Sequence, residues 1–193
     1  MEKFRYVKPT IEYKEKAIEY IKEFHQFGSQ INGVGGLHNF LDDYEGWLAK
    51  LENDRNIVPS ESEVPSDTFF LVRESDGKII GMSCVRFALN AARRLHGQHV
   101  GYSIRPTERR KGYNKINLYL ALKVCQQHGI KETWLDCDKI NIGSAKTMLA
   151  LGGVQQLERF DLSVSSKVVQ YYSFDTDKVL EQYKDIYEPY IIW

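Results

Sequence analysis

The segment from Val100 to Asn114 constrains the fold more than any other part of the chain. Apolar residues alternate at Val100, Tyr102 and Ile104, which predicts a strand. A basic turn, Arg109-Arg110-Lys111-Gly112, follows and leads into a helix with apolar residues at helical spacing. A strand that passes through a positive turn into a helix presents free N–H groups to solvent. We therefore expect an anion site for phosphate or pyrophosphate here.

The turn resembles a known cofactor-binding motif. The pattern Arg109-x-x-Gly112-x-Asn114 is similar to the Arg/Gln-x-x-Gly-x-Gly/Ala turn of the GNAT superfamily of N-acetyltransferases. Asn114 stands where Gly or Ala is usual, and Asn tolerates unusual backbone angles better than other side chains do. The resemblance implies that acetyl-coenzyme A binds here, its pyrophosphate held by residues of this turn: Arg109, Arg110, Lys111, Gly112, Tyr113 and Asn114.

A second segment extends the resemblance. Lys131–Cys137 predicts a buried strand, and Asn141-Ile-Gly-Ser144 is similar to the Asn-x-x-Ala/Ser opening of the next GNAT helix. The resemblance implies that Asn141 and Ser144 meet the pantetheine arm of the cofactor. It also implies that this arm pairs with the strand edge at Tyr102 and Ile104. Asn141 is equally well explained as the cap of its helix.

Two further segments point to one branch of this superfamily. Arg86–Asn90 and His96–Tyr102 resemble a group of uncharacterised bacterial acetyltransferases that carry an R-x-x-L-N segment before the fourth strand. The resemblance covers residues 68–175 well and the N-terminal third loosely. It implies a fold and a cofactor and does not indicate an acceptor substrate.

Composition excludes several classes of protein. The chain has 193 residues, and its 26 Lys and Arg balance 26 Asp and Glu, which argues against a nucleic-acid-binding protein. No run of 18 apolar residues is present, so we expect no membrane association. Cys84, Cys125 and Cys137 have no metal-ligand spacing and are expected to be buried thiols in a reducing cytoplasm, with no metal bound.

The order of elements predicts an α/β (α+β) protein with the GNAT fold. We expect a mixed central sheet of about seven strands with strands 4 and 5 splayed, about four flanking helices and a C-terminal helical extension. The chain is expected to be one domain, 1–193, with a helical acceptor-side region (1–67), a sheet and acetyl-CoA-binding core (68–175) and the extension (176–193). Residues 28–37 predict a flexible glycine-rich linker.

The C-terminal part carries two more predictions. A closing hairpin is expected from Val154–Val164 and Lys167–Phe174, turning at Ser165-Ser166. In the extension, aromatic side chains are expected to pack against the body or a partner subunit: Tyr183, Tyr187, Tyr190 and Trp193.

The proton carriers of the reaction are harder to identify than its scaffold. Relatives often place a base where this chain has Gln98 or Val100, and neither ionises. The alternatives are His99, His96 and Asp136; an unperturbed histidine suits a base at neutral pH. Met148 stands where relatives often have a tyrosine that protonates the leaving thiolate, and the possible substitutes are Tyr113, Tyr119 and Tyr102.

Three functions therefore stay open from the sequence. We favour an acetyl-CoA-dependent N-acetyltransferase that acts on a primary amine of a small molecule, an amino-acid derivative or a peptide, as a monomer or a homodimer. The second is a non-catalytic acyl-CoA-binding sensor or partner-binding module on the same scaffold. The third, an RNA-binding module, conflicts with the zero net charge.

Overall fold

The computed structural model describes residues 1–161 and 167–192, so the Ser165-Ser166 turn and Trp193 lie outside it. The strands are β1 (Phe4–Val7), β2 (Ser66–Arg73), β3 (Ile79–Arg86), β4 (Val100–Ile104), β5 (Glu132–Asp138), β6 (Val154–Asp161) and β7 (Lys167–Asp175). The α-helices are α1 (Lys14–Gln26), α2 (Tyr44–Arg55), α3 (Ala91–Leu95), α4 (Tyr113–Gln127), α5 (Ile142–Ala150) and α6 (Thr176–Tyr187). The expected order of strands and helices, including the C-terminal helix, is confirmed.

The seven strands form two antiparallel sheets rather than one continuous sheet. The first has the order β1-β2-β3-β4 and the second the order β5-β7-β6. Among the described residues, no ladder joins β4 to β5. The expected splay of these two strands is thus complete enough to divide the sheet, and it leaves an opening that we call the β4–β5 gap.

A single histidine joins the two sheets where the gap begins. The backbone N–H of His99 donates to the carbonyl of Trp134 (2.9 Å). The backbone N–H of Trp134 donates in return to Nδ1 of the His99 ring, also at 2.9 Å. The ring nitrogen therefore takes the place of a backbone carbonyl. Because β4 and β5 are tied here and diverge beyond it, His99 marks the closed end of the gap.

Each face of the sheets has its own hydrophobic core. Helices α4, α5 and α6 pack on one face around a cluster that includes Leu118, Leu122, Leu135 and Phe174. Helices α1 and α2 pack on the other face of the first sheet with Tyr20, Phe24, Trp47 and Phe70. All three cysteines are buried and free, as expected. No helix in the described part of the chain is long and apolar enough to cross a membrane.

The glycine-rich segment 28–37 is not a free linker, because part of it docks on β4. The Ser103 hydroxyl donates to the carbonyl of Asn32 (2.6 Å), and Gly33 lies directly against the backbone of Gly101. A Cβ added to Gly33 would come within 2.4 Å of the Gly101 carbonyl oxygen. The expectation of a flexible linker missed this contact, since two distant glycines meeting face to face leave no local signal.

The C-terminal extension packs on the body of the protein. Asp175 caps α6 by accepting from the N–H of Lys178, and the ring of Tyr187 lies 5.4 Å from that of Tyr119 on α4. The chain then reaches the outer edge of β1, where the N–H of Ile192 donates to the carbonyl of Phe4 (2.8 Å). The predicted aromatic packing is confirmed against the body for the described tyrosines.

The buried His99 ring makes stability depend on pH in a defined direction. Burial lowers the pKa of His99 from 6.5 to about 4, with help from the nearby Arg94 and Arg86. The unfolded chain therefore binds this proton at higher pH than the folded chain does. The resulting stability is full above pH 6.5 and is lost as the pH falls towards 4, by about 3 kcal/mol in total.

We predict that His99→Gln removes much of this pH dependence. Denaturant unfolding at several pH values between 4.5 and 7.5 should show a smaller loss of stability on acidification than in the parent protein. His25→Gln, in an exposed position at the end of α1, is the matched control and should leave the parental slope in place. Parallel pH profiles for the parent and His99→Gln would contradict the assigned role.

A pair of glycine variants tests the docked loop. Gly33→Ala and Gly28→Ala both place a side chain at positive φ (+68° and +55°), which costs about 1 kcal/mol. A Cβ at Gly28 meets nothing within 4 Å, whereas at Gly33 it collides with β4. We expect Gly33→Ala to lose about 1–3 kcal/mol more in the free energy of unfolding than Gly28→Ala. Equal losses would show that the loop docks loosely.

Candidate functional site

A cleft of about 810 Å³ opens at the end of β4, where this strand leaves β5. Its walls are the segment 28–32, the end of β4, the basic turn with the first residues of α4, and one face of α5. The cleft thus continues the β4–β5 gap to the protein surface. Nine of the ten residues expected to bind a cofactor line it: Tyr102, Ile104, Arg109, Arg110, Gly112, Tyr113, Asn114, Asn141 and Ser144.

The basic turn ends in an uncapped helix start. Gly112 is the residue before α4, has φ +85°, and provides no side-chain cap. Arg110, two residues earlier, also lies in the left-handed region at φ +65°. Such a conformation is uncommon for a residue with a side chain and persists only where the surroundings impose it. The first N–H groups of α4 are left at the cleft wall, where the helix dipole favours an anion.

The charges around the cleft are strongly biased. Its lining includes four cations, Arg109, Arg110, Lys115 and Lys146, and one carboxylate, Glu108. That carboxylate is already neutralised. It accepts hydrogen bonds from Lys111 (2.9 Å) and Arg73 (3.0 Å). Burial alone would raise the pKa of Glu108, but these two cations outweigh burial and hold the pKa below its usual value.

Lys111 is the one expected cofactor-binding residue that does not line the cleft. Its ammonium group bonds to Glu108 beneath the turn, so the residue supports the turn from behind. Arg109 lines the cleft and also supports the turn. Its Nε donates to the carbonyl of Ile104 (3.2 Å), and its guanidinium lies 5.4 Å from the centre of the Phe24 ring. Arg110 is exposed.

The opposite wall is built on the start of α5. The Asn141 side chain accepts from the N–H of Ser144 (3.1 Å), so its capping role is confirmed. The Ser144 hydroxyl in turn lies 2.7 Å from the phenol oxygen of Tyr102 on β4. Asn114 on α4 donates to the Thr147 hydroxyl (3.3 Å), while its own side-chain oxygen is buried without a partner among the described residues.

The free edge of β4 also faces the gap. In the antiparallel ladder with β3, alternate residues of β4 bond across the ladder. The N–H of Arg105 donates to the carbonyl of Ile80, and the carbonyl of His99 accepts from the N–H of Arg86. The backbone groups of the odd-numbered residues of β4 therefore point towards β3. The backbone groups of Tyr102 and Ile104 therefore point the other way, towards β5. The carbonyl of Ile104 already accepts from Arg109, so this edge presents mainly the backbone groups of Tyr102 and the N–H of Ile104 to an extended ligand.

The two histidine candidates for the base lie outside the cleft. His99 is buried at the sheet junction, with Nδ1 bonded to Trp134 and its pKa lowered to about 4. Nε2 of His96 lies 3.1 Å from the carboxylate of Asp161 on β6. In each imidazole, one ring nitrogen is therefore engaged by a partner away from the cleft.

Asp136 is placed differently. Its neighbours in β5, Leu135 and Cys137, are buried against α4 and α5, so strand alternation directs Asp136 to the opposite face of the sheet. There it faces the turn that contains His96 and Gly97. Burial raises the pKa of Asp136, although an N–H bond from Gly97 and the nearby His96 and Arg86 act against this.

Gln98, which stands at the position of a base in relatives, has a structural role here. It is buried, has φ +36°, and its amide donates to the carbonyl of Arg94, which fixes the turn between α3 and β4. Met148 is also fully buried. Gln98 and Met148, the two residues that differ from those expected of a base and an acid, therefore both have packing roles.

Sequence reasoning missed part of the cleft. On α5 the lining residues Gly143, Lys146, Thr147 and Ala150 recur at spacings of three, four and seven, which is one helical face. That spacing could have identified them once the helix start was known. The contribution of residues 28–32 could not have been found this way, because it depends on the docking of a loop from elsewhere. In the described part of the chain, no group of three or more His, Cys, Asp or Glu residues could hold a metal ion.

Three solved structures share this architecture at low sequence identity. Ribosomal-protein-S5-alanine acetyltransferase from Vibrio fischeri is 14% identical over 92% of this chain and 95% of that chain, with a TM-score of 0.67. The yncA protein of Salmonella typhimurium with its cofactor acetyl-CoA is 11% identical (91% and 95% covered, TM-score 0.64). A spermidine N-acetyltransferase SpeG chimera from Vibrio cholerae and hSSAT is 14% identical (92% and 98% covered, TM-score 0.64).

The family itself is established by sequence. No curated protein sequence matches the chain. The family model of the acetyltransferase (GNAT) family matches residues 36–152, which is more than half of the chain. This range contains β4, the basic turn, β5 and α5, the elements that build the cleft. The chain therefore belongs to the acetyltransferase (GNAT) family.

Proposed function

We propose that this protein is an acetyl-CoA-dependent N-acetyltransferase that transfers an acetyl group to a primary amine. The observation that carries the proposal is the gap between β4 and β5, with a free strand edge on one side and an uncapped, positively charged helix start at its mouth. A long ligand with a phosphate group at one end and amide groups along its arm matches these features. Acetyl-coenzyme A is such a ligand.

The residues of the cleft fit that ligand. The N–H groups at the start of α4, with Arg109 and Arg110, would hold the pyrophosphate. The edge of β4 at Tyr102 and Ile104 would pair with the pantetheine arm, with Asn141 and Ser144 on the other side of it. The buried side-chain oxygen of Asn114 is an acceptor without a partner among the described residues, and a pantetheine amide N–H would satisfy it.

The acceptor side is proposed to be the other face of the sheet. An amine has to attack the thioester carbonyl and lose a proton as it does so. Asp136 lies on the face opposite the main cleft and is a carboxylate with a raised pKa, which suits a base better than an ordinary aspartate. His99 is committed to Trp134, so we assign the base to Asp136 and regard His96 as part of its surroundings.

The second candidate is a non-catalytic acyl-CoA-binding module. Its support is that Gln98 and Met148 are both packing residues, so two proton carriers common in relatives are absent from their usual positions. Both functions require acetyl-CoA binding, and they differ in turnover. Isothermal titration with acetyl-CoA therefore tests the site, and release of free coenzyme A tests the transfer.

The assay for transfer needs a panel of amines. The similar structures suggest two acceptor classes to include, a peptide with N-terminal alanine and spermidine, and amino-acid derivatives complete the panel. Acetyl-CoA binding with amine-dependent thiol release would support the transferase. Binding without release for any amine would favour the binding module, and no binding would overturn both.

We predict that Gly112→Ala weakens acetyl-CoA binding without a matching loss of stability. Within 4 Å, a Cβ at Gly112 would meet Lys115 Cε, at 3.9 Å, so the protein can accommodate it. The cost in stability then comes from the positive backbone angle, φ +85°. Gly129, at φ +74° with nothing within 4 Å, is the matched control after α4. Both alanine variants should lose about 1 kcal/mol of stability.

Only the Gly112 variant should lose affinity, by about tenfold or more, because its Cβ keeps the phosphate from the turn. Calorimetry of both variants with acetyl-CoA measures this. Equal affinities in Gly112→Ala and Gly129→Ala would place the pyrophosphate elsewhere.

The pH dependence of the reaction tests Asp136. A base works only when deprotonated, so log(kcat/KM) should rise with pH through an inflection above the ordinary pKa range of aspartate. Asp136→Asn should abolish this inflection and reduce kcat/KM by about 100-fold, while acetyl-CoA affinity is retained. Asp138→Asn, two residues along the same face and paired with Lys167, is the control. An inflection that follows the pKa of the acceptor amine and survives Asp136→Asn would mean that the protein selects the free amine.

A further inference from the structure

Six of the ten arginines of this chain have no carboxylate partner among the described residues. Two of the six line the donor cleft, where the anion of a ligand is expected: Arg109 and Arg110. The other four gather around the turn before β4: Arg86, Arg93, Arg94 and Arg159. This turn is therefore a second place where positive charge has no partner from the protein itself.

The guanidinium of Arg86 lies along the backbone at the start of β4. Its Nη1 donates to the carbonyls of Gly97 (2.6 Å) and Gln98 (3.1 Å). A Cβ built on Gly101 would lie 4.0 Å from Nη2 of Arg86 and 3.5 Å from Gly33, which places the guanidinium beside the docked loop. Nε and Nη2 bond to no described residue, and neither atom is buried. One side of the guanidinium is thus left for a ligand.

Arg93 stands close to Arg86, and its side chain bonds to nothing in the described part of the chain. Its backbone is fixed, because its N–H donates to the capping side chain of Asn90 (2.9 Å) and its carbonyl accepts from the N–H of Gln98 (3.1 Å). The side chain is half-buried, and burial together with the charge of Arg86 lowers its pKa. Two half-buried like charges repel each other, and an anion between them would remove that repulsion.

The Arg86–Asn90 segment, which carries the R-x-x-L-N pattern, builds this pair. The amide of Asn90 donates to the carbonyls of Ser60 and Glu61 (both 3.0 Å), which fixes the start of α3 to the preceding loop. Arg86 holds the other end of the turn through its two carbonyl bonds. The two ends of the motif therefore hold α3, and with it Arg93, against β4.

The same turn connects the arginine pair to Asp136. The N–H of Gly97 faces the carboxylate of Asp136, and the carbonyl of Gly97 accepts from Arg86. One residue of backbone thus lies between the proposed base and the arginine. An acceptor with its amine at Asp136 would place a group a few bonds away beside Arg86 and Arg93. A second cation on the acceptor, as in spermidine, would be repelled there.

We propose that Arg86 and Arg93 bind an anionic group of the acceptor, so that the preferred substrate is a compact amine that also carries a carboxylate or a phosphate. This inference rests on the proposed acetyl transfer and on the assignment of the acceptor to the side of Asp136. A guanidinium binds either anion through paired N–H groups. Amino acids and aminoalkyl phosphates are the two classes of compound that meet this description.

Matched acceptors separate the contribution of the anion from that of the amine. Each amino acid of the panel is compared with its carboxamide, and phosphoethanolamine with ethanolamine, in the thiol-release assay. Each kcat/KM is expressed per free amine, because the amines of a pair differ in pKa. The anionic member should exceed its neutral counterpart by about tenfold or more. The pair with the larger ratio identifies the anion as carboxylate or phosphate.

Variants assign that preference to the arginines. Arg93→Gln should lower kcat/KM for the anionic acceptor by about 10- to 100-fold, and leave the neutral acceptor and the affinity for acetyl-CoA within about twofold of the parent. Arg86→Gln keeps an amide donor for the turn carbonyls and should show the same selective loss. Arg94→Gln, at the adjacent exposed arginine, is the matched control and should keep the parental ratio. Thermal unfolding checks that all three variants are folded.

A second measurement needs no acceptor. With the donor site saturated by coenzyme A, thermal unfolding is compared in phosphate, acetate and chloride at equal ionic strength. An anion that binds the folded protein raises its unfolding temperature. The parent and Arg94→Gln should gain stability in phosphate or acetate over chloride, and Arg93→Gln should gain less. General salt effects are common to all variants, so this difference reports the arginine site.

The outcomes separate this inference from the proposed function. If the parent binds no acetyl-CoA, or releases no thiol with any amine, the proposed function fails and the anion measurement alone decides the arginine site. If the parent acetylates neutral and anionic amines equally well, or prefers spermidine, the function stands and the anion site is overturned. Equal loss for both members of a pair in Arg93→Gln, or equal salt effects in all variants, would also overturn it.

Discussion

The contact between His99 and Trp134 determines the geometry on which the rest of the site depends. Two neighbouring parallel strands would normally pair along their whole length. Here the ring nitrogen and the backbone N–H of His99 each make one hydrogen bond to Trp134 on β5, and among the described residues no ladder continues from this point. A side chain that substitutes for a backbone carbonyl satisfies the buried N–H of Trp134 without continuing the ladder. The free edge of β4 follows from this.

Buried charges hold the remaining parts of the site in place. Arg105 is almost fully buried at the end of β4, where its guanidinium bonds to Glu19 and Glu23 on α1 (both 2.9 Å). Glu23 also accepts from the N–H of Thr107, just before the basic turn. Removing one partner from such a group would leave an unpaired buried charge, so the arrangement resists change. Helix α1, the end of β4 and the segment before the basic turn are therefore tied together, which would help to orient two substrates in the proposed reaction.

In the proposed function, the division of the sheet also separates the two substrates in space. The main cleft lies on the side of α4 and α5, and Asp136 lies on the other face. In the proposed reaction, donor and acceptor approach from opposite faces and meet in the β4–β5 gap. In this proposal the acceptor side lies near Asp136, at the turn before β4 and at β6, rather than only in the expected region 1–67, and it is separate from the elements that would bind the cofactor. The proposed arrangement would let the choice of acceptor vary while the donor site stays constant.

The sequence by itself determined the order of elements, the basic turn and the cap at Asn141. These features are local: alternation, helical spacing and capping residues act over a few positions, so they can be read from neighbouring residues. The contacts that define the site are not local. His99 meets Trp134 across 35 residues, Tyr102 meets Ser144 across 42, and Gly33 packs on Gly101. Only the tertiary structure could show that His99 joins two strands and that the pKa of its ring is lowered, because both depend on burial and on partners distant in sequence.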